Sequence, residues 1–401
     1  MEVLAPSLVR QVHAASVRFV LAASGGGSRA IAELLEVPGA SRTVLEAVVP
    51  YSEGAMIAWL GARPEHFCAP RTARAMAVAA FERARKYCAG DETAAGIACT
   101  ASLASDRPKR GAHRAHVGLQ TAQRTATWSL ELQKGRRTRE EEEQLVSRLV
   151  LNAVAEAAGI DVRLTLPLVE GERVEKWQTV APQTWRELLL GKVEAVCEGG
   201  RADGSGDAAR EGRTGDVEIG KLGTCPTEAV FPGAFNPLHV GHRRMAQIAK
   251  EMVGVDVALE MSIVNVDKPP LDYREIEDRL LQFPRQQAVW LTRAPTFVEK
   301  SRLFPGATFV VGTDTLRRIG DPRYYGRNAT ACLQALEEIA DRGCRFLVFA
   351  RDCGAGLVRL GDLDVPGVLR GQCQEVPPER FREDISSTAL RTVQESDAGP
   401  N

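Results

Sequence analysis

The sequence predicts an α/β protein of two domains, the second built on a doubly wound parallel sheet, and three observations carry that reading. Strand-like apolar runs and amphipathic helical runs alternate from residue 228 to residue 350. Near the start, the apolar run Val17–Ser24 passes through Gly25, Gly26 and Gly27 into a helical segment. Between these regions lies Glu198–Gly223, rich in glycine and mixed charge, whose few large apolar residues cannot offset the entropy of ordering, so it reads as a flexible linker. The expected domains are 1–160 and 225–401, joined by an extension and linker over 161–224.

In the first domain Val17–Ser24 is a buried strand, and the turn Gly25–Gly27 delivers it to a helix over Ser28–Leu35, so that amides at the turn offer an anion site. Asp161–Cys197 contains LTLPLVEGERV and a short helix over Thr184–Leu190, and belongs firmly to neither side. In the second domain a strand over Glu228–Phe231 leads to a helix opening near Val240 and marked by Met245, Ile248, Ala249 and Met252. Alternation at Val255, Val257, Leu259, Met261 and Ile263 predicts the next strand. Helix Tyr273–Phe283, strands Ala288–Thr292 and Thr308–Gly312, helix Ala329–Arg342 and strand Arg345–Ala350 follow. The ligand crevice of such a sheet lies at the carboxyl ends of its strands.

At 401 residues, 44% of them hydrophobic, the chain can build a core in each domain. Its 51 basic residues against 52 acidic argue against a nucleic-acid partner, which calls for a basic excess. The nine cysteines show no paired metal spacing and fit small core residues in a reducing compartment, so neither disulfides nor structural zinc are expected. Val17–Ser24 is too short to span a bilayer. Folded sequence begins almost at once, leaving little room for a cleavable leader. The expected compartment is the cytoplasm, with the nucleus left open.

The most informative run is GAFNPLHVGH, Gly233–His242, at the turn between the first strand and first helix of the second domain. Two imidazoles one helical step apart, beside helix N-terminal amides, form a preorganised clamp for a nucleotide phosphate, because donors and dipole both favour negative charge. The plainer alternative is a solvated turn with surface histidines. Far downstream, DISSTALR, Asp384–Arg391, offers Ser386, Ser387 and Thr388 as helix caps, with first-turn amides and Arg391 able to grip β and γ phosphates.

The first run resembles the HxGH signature of the nucleotidylyltransferase superfamily, with Gly233, Phe235, Pro237, His239, Gly241 and His242 in place. The second resembles the ISSTxxR motif of nicotinamide and nicotinate mononucleotide adenylyltransferases. In that order the pair implies ATP as donor and favours this branch over the cytidylyltransferases. The resemblance implies that Gly233, Ala234 and Phe235 bring backbone to the triphosphate and that Gly241 lets the helix start close against it. It also implies that Gly312 and Asp314, in FVVGTDT, contact the adenosine and that Lys268, in NVDKPPLDYRE, meets the acceptor's phosphate. A capping aspartate and a solvated lysine are the competing accounts. Trp290 or Phe297 could stack on the nicotinamide ring, although strand aromatics are more often core.

The acceptor's phosphate oxygen is then expected to attack the α-phosphorus of ATP in line, with pyrophosphate leaving and no covalent enzyme intermediate. His239 and His242 act on the α-phosphate, and Arg391 with Ser387 and Thr388 on the departing pyrophosphate. Mg²⁺, carried mainly by the phosphates, needs no protein metal cage.

From Leu8 to about Gly159 the chain resembles the CinA C-terminal family, whose active members deamidate nicotinamide mononucleotide. The likeness rests on AASGGGSRAIAELLEVPGAS (Ala22–Ser41), VVPYSEGAM (Val48–Met56), GIACTAS (Gly96–Ser102) and HVGLQTA (His116–Ala122). Ser24 aligns with that family's serine nucleophile. Met56, however, holds the position of the activating lysine, and ASLASDRPKRGAHR, Ala101–Arg114, replaces a glycine-rich substrate loop. A degenerate binding or self-association module is expected, since an unactivated serine is a poor nucleophile.

The leading expectation is an ATP-dependent mononucleotide adenylyltransferase making an NAD-type dinucleotide from nicotinamide or nicotinate mononucleotide. Its partners are small nucleotides, with no nucleic acid and no membrane; the oligomeric state stays open, with the N-terminal domain as the candidate surface for a homo-oligomer. Three alternatives stay open: a bifunctional enzyme that also deamidates nicotinamide mononucleotide, a non-catalytic nucleotide-binding regulatory protein, and another phosphorylated acceptor such as phosphopantetheine.

Overall fold

The computed structural model describes residues 4–88, 94–106, 110–199, 227–266, 270–352 and 356–381. The chain divides into two compact units, Met1–Arg186 with Asp267–Ile276, and Glu187–Val266 with Glu277–Pro400.

The first unit runs α1 (Ala5–Ala14), β1 (Arg18–Ser24), α2 (Arg29–Glu36), β2 (Val44–Val48), α3 (Glu53–Leu60), α4 (Pro70–Tyr87), β3 (Ala94–Ser102), β4 (His113–Thr121), β5 (Arg124–Leu132), α5 (Arg139–Ala157) and β6 (Val174–Val180), then into α6 (Gln183–Leu190). Its sheet has the order β2-β1-β3-β4-β5-β6, parallel through the first three strands and antiparallel thereafter. Between Arg18 and Ser24, strand β1 is apolar at every position because both of its faces are covered. Phe19 and Leu21 face a core closed by α1, α2 and α5, while Ala22 faces one closed by α3 and α4. The segment around Asp272 and Tyr273 also packs here. Buried Asp272 pairs with Arg74 at 2.8 Å, and Tyr273 Oη donates to Ala122 O at 2.8 Å.

The second unit contributes β7 (Ala195–Glu198), β8 (Ala229–Pro232), α7 (Val240–Val253), β9 (Ala258–Ser262), the part of α8 (Tyr273–Leu280) from Glu277 onward, β10 (Val289–Thr292), α9 (Phe297–Leu303), β11 (Thr308–Gly312), α10 (Thr313–Ile319), α11 (Ala329–Asp341), β12 (Arg345–Phe349), the small pair β13 (Arg351–Asp352) and β14 (Leu357–Val358), α12 (Gly367–Gly371) and β15 (Cys373–Glu375). The main sheet is ordered β15-β12-β11-β8-β9-β10-β7. From β8 to β15 all its pairings are parallel. Counted from β8 as first, those six strands take the 3-2-1-4-5-6 order of doubly wound nucleotide-binding sheets, whose crevice opens where the order reverses. Here that point lies between β8 and β11.

The stretch that the sequence left unassigned is placed, and two element boundaries differ from the sequence reading. Residues 161–199 divide between the units, β6 extending the first sheet and β7 adding an antiparallel edge to β10 of the second. Strand β9 begins at Ala258 rather than Val255, because α7 ends on Gly254 at φ +82 and the next residues turn the chain. Helix α8 stops at Leu280, short of Phe283, whose neighbour Pro284 disfavours a helical residue before it. No described helix is long and apolar enough to cross a membrane.

Candidate active site

Strand β8 delivers the chain into the turn at Gly233, whose N–H donates to Glu260 O of β9 at 2.9 Å. A Cβ at Gly233 would stand 2.6 Å from the Phe235 ring, so the glycine is demanded by the turn's own aromatic. Phe235 is fully buried at φ +42, a left-handed conformation that a side chain normally avoids. Its ring meets Phe231, His242 and Phe283 edge-on at 5.2–5.6 Å between centroids. Ala234 is half-buried beside it. Beneath the turn, buried Glu260 accepts from Lys300 Nζ at 2.8 Å and Thr292 Oγ1 at 2.6 Å, while Lys300 also donates to Ala294 O at 2.7 Å.

His239 is the N-cap of α7, and His242 lies in the helix's first turn, with Gly241 buried between them. The two rings stack at 3.7 Å. His239 N–H donates to His242 Nδ1 at 3.3 Å, so a neutral His242 carries its proton on Nε2. Burial, then His239, then Arg351 push His242 down to about 3. Burial and Arg351 lower His239 as well. Both rings are therefore neutral near pH 7. Among the described residues, the buried Nδ1 of His239 and the buried Oγ1 of Thr313 have no hydrogen-bond partner, an arrangement that calls for a ligand or water.

Gly312 ends β11 on the other side of the crevice, and Asp314 opens α10 beside it. Arg351, just past β12, joins the two parts. Its Nε lies 3.6 Å from Asp314 Oδ1 and would stand 3.0 Å from a Cβ at Gly312, and its charge is felt by both histidines. The structure thus gathers Gly233, Phe235, His239, Gly241, His242, Gly312 and Asp314 around one switch point, together with Arg351, which the sequence reading missed. The available signal was its position one residue beyond the predicted strand Arg345–Ala350, at the carboxyl end where the crevice opens. No group of three or more His, Cys, Asp or Glu among the described residues could hold a metal ion. Trp290 and Phe297 pack into the core, Trp290 against Phe304 and Phe297 against Phe309 and Phe346. Lys268, Ser386, Ser387, Thr388 and Arg391 lie outside the described residues.

The first unit presents a different picture at the anion turn. Glu143, from the second turn of α5, accepts from Gly27 N–H at 2.9 Å, Arg29 N–H at 3.0 Å and Ser28 Oγ at 3.1 Å. Of the amides expected to bind an anion at Gly25–Gly27, that of Gly27 already holds the chain's own carboxylate. Ser24, nearly buried at the end of β1, donates to Pro50 O at 3.0 Å. Met56 lies in the apolar cluster with Ala22, Leu60 and Met76.

Residues 230–393 match the model of the cytidylyltransferase-like family. Over its N-terminal part the chain is similar to solved structures of competence/damage-inducible proteins. These include CihA of Agrobacterium tumefaciens (19% identity, 39% of this chain and 99% of that one, TM-score 0.32). A protein of Enterobacter asburiae gives 17% identity, 39% and 98% coverage and a TM-score of 0.32. A CinA superfamily protein of Klebsiella pneumoniae gives 16% identity, 39% and 99% coverage and a TM-score of 0.32. No curated protein matches the chain. With the family match spanning both the histidine turn and the strands that frame it, the chain carries a cytidylyltransferase-like domain of the nucleotidyltransferase superfamily and is a nucleotidyltransferase.

Proposed function

We propose that the second unit transfers the adenylyl group of ATP to nicotinamide or nicotinate mononucleotide, releasing pyrophosphate. The observation that carries this reading is the neutral, stacked histidine pair at the N-terminus of α7, with a buried ring nitrogen unpartnered beside Arg351. A phosphate oxygen of the acceptor forms a bond to the α-phosphorus while the bond from that phosphorus to the α,β-bridging oxygen breaks, and the bridging oxygen departs with pyrophosphate. His242, with its proton on Nε2, and His239 donate to α-phosphate oxygens as charge gathers there. Arg351 adds a fixed positive charge, and Ser387, Thr388 and Arg391 supply the grip on the β and γ phosphates. The assignment of ATP and of a pyridine mononucleotide rests on the ISSTALR segment and on Lys268 in the sequence NVDKPPLDYRE.

Imidazole, guanidinium and amide donors, with Asp314 turned to Arg351, suit phosphate oxygens, so this donor set accommodates Mg²⁺ as a passenger on the triphosphate. When bound it draws charge from the phosphate oxygens. For the first unit we propose a non-catalytic module, because Met56 replaces the base and Glu143 holds the Gly27 amide. The test is incubation with Mg²⁺ and either ATP or CTP against a panel of phosphorylated acceptors, scoring pyrophosphate. Release that needs both ATP and a pyridine mononucleotide supports the proposal. Release with CTP, or with a different acceptor, reassigns the substrates, and ammonia from nicotinamide mononucleotide reinstates a bifunctional enzyme.

A further inference from the structure

The geometry points to Gln282 as the residue that sets the shape of the histidine turn and so positions the two imidazoles, an inference that rests on the function proposed above. Its carboxamide works at both ends. Oε1 accepts from Leu238 N–H at 2.7 Å, and Nε2 donates to Phe235 O at 3.1 Å. Those backbone groups bracket Asn236 and Pro237, so one side chain closes the loop immediately before the N-cap histidine. Because the acceptor faces an N–H and the donor faces a carbonyl, the orientation of the amide is fixed by its partners.

The loop needs such a hold. Phe235 occupies a sparsely populated left-handed conformation, which persists only where the surroundings over-determine it. Three restraints do so here: the ring's contacts with Phe231, His242 and Phe283, the Gly233 N–H bond to β9, and the Gln282 clamp. The first two fix the entry of the turn, and the clamp fixes its exit. Leu238 adjoins His239, whose N–H in turn orients His242 through Nδ1. Relaxing the clamp therefore moves the donors to the α-phosphate without removing either one. A misplacement of about 1 Å at a reacting group lowers the rate on the order of 100-fold, while donor binding, spread over many phosphate contacts, changes little. Gln282 is thus a positioning residue, and its effect falls on kcat rather than on KM.

The test compares wild type, Gln282→Leu and Gln282→Glu in pyrophosphate release with ATP, Mg²⁺ and nicotinamide mononucleotide, with hydrogen exchange at the Leu238 amide measured on the same samples. Leucine approximates the volume and loses both bonds, whereas glutamate keeps the acceptor for Leu238 and loses the donor to Phe235. The expected result is a kcat about 100-fold lower for Gln282→Leu, an intermediate fall for Gln282→Glu, a nearly unchanged KM for ATP, and faster exchange at Leu238 in Gln282→Leu. If Gln282→Leu does not fold, Gln282→Glu carries the test through its lower kcat at unchanged KM. An active wild type whose variants keep its kcat overturns the assignment, as does unaltered exchange at Leu238 in Gln282→Leu. A wild type silent with every acceptor sinks the proposed function instead, and the exchange measurement then decides the clamp alone.

Discussion

Lowering the pH of the free protein from about 8 to about 5 should loosen the second unit through its histidine turn. An imidazole in an unfolded chain titrates near 6.5, whereas burial, His239 and Arg351 hold His242 down to about 3 in the fold. Above about pH 6.5 neither state takes the proton. Below that, the unfolded chain binds a proton that the fold refuses, so the stability supplied by the neutral ring is complete above about 6.5 and drains away as pH falls toward 3. The slope is about 1.4 kcal/mol per pH unit for each such group, giving roughly 2 kcal/mol from His242 between pH 6.5 and 5 and roughly 5 over the whole window. His239, lowered by burial and Arg351, adds in the same direction. Hydrogen exchange of peptides covering β8 and α7, followed in urea across this range, reads the free energy of opening. His242→Phe retains an aromatic ring against Phe235 and Phe231 and should flatten the slope by the His242 share. Equal pH slopes in wild type and variant would refute the assignment of a buried neutral ring.

Other perturbations test the parts around it. Lys300→Met leaves Glu260 buried without its cation and should cost about 3–5 kcal/mol in urea unfolding, much of it recovered by adding Glu260→Gln; a single-variant loss below about 1 kcal/mol contradicts that picture. Glu143→Ala strips the acceptor from Gly27 and Arg29 N–H and should destabilise the first unit by about 1–3 kcal/mol, visible as a lower thermal midpoint. An unchanged midpoint would mean that water replaces the carboxylate without loss. Arg351→Gln removes a positive charge from beside the histidines, so NMR titration of His242 should move upward from about 3; no movement would place the guanidinium too far away to act.

The second unit was legible because its physics is local. Each parallel strand is a short apolar run, and each helix shows a stripe of period 3.6, so Thr308–Gly312 was read to the residue and α7 to its first turn. The histidine turn stood out because two histidines and an aromatic share a short run with Gly233, Pro237 and Gly241 between a strand and a helix. Arg351 and Gln282 carry no such local mark, since they matter through partners at the ends of other elements. In the first unit, α4, α5 and strands β3 to β6 leave no clear mark in the sequence. Strand β3, AAGIACTAS, is rich in alanine, a helix former, and shows no strand alternation. Its residues are small because α4 presses close, and a Cβ at Gly96 would lie 2.0 Å from Ala77 O. Glu143 was equally hidden, because its partner Gly27 lies 116 residues away and the turn looked open until the fold brought the carboxylate to it.

If the stacked imidazoles act on the phosphate that changes partners, His242→Ala removes one of the two donors from the reacting group. With ATP, Mg²⁺ and nicotinamide mononucleotide, pyrophosphate release should slow by about 100- to 1,000-fold, in a protein whose exchange pattern outside α7 matches the wild type. Turnover within a fewfold of wild type from that variant would contradict it.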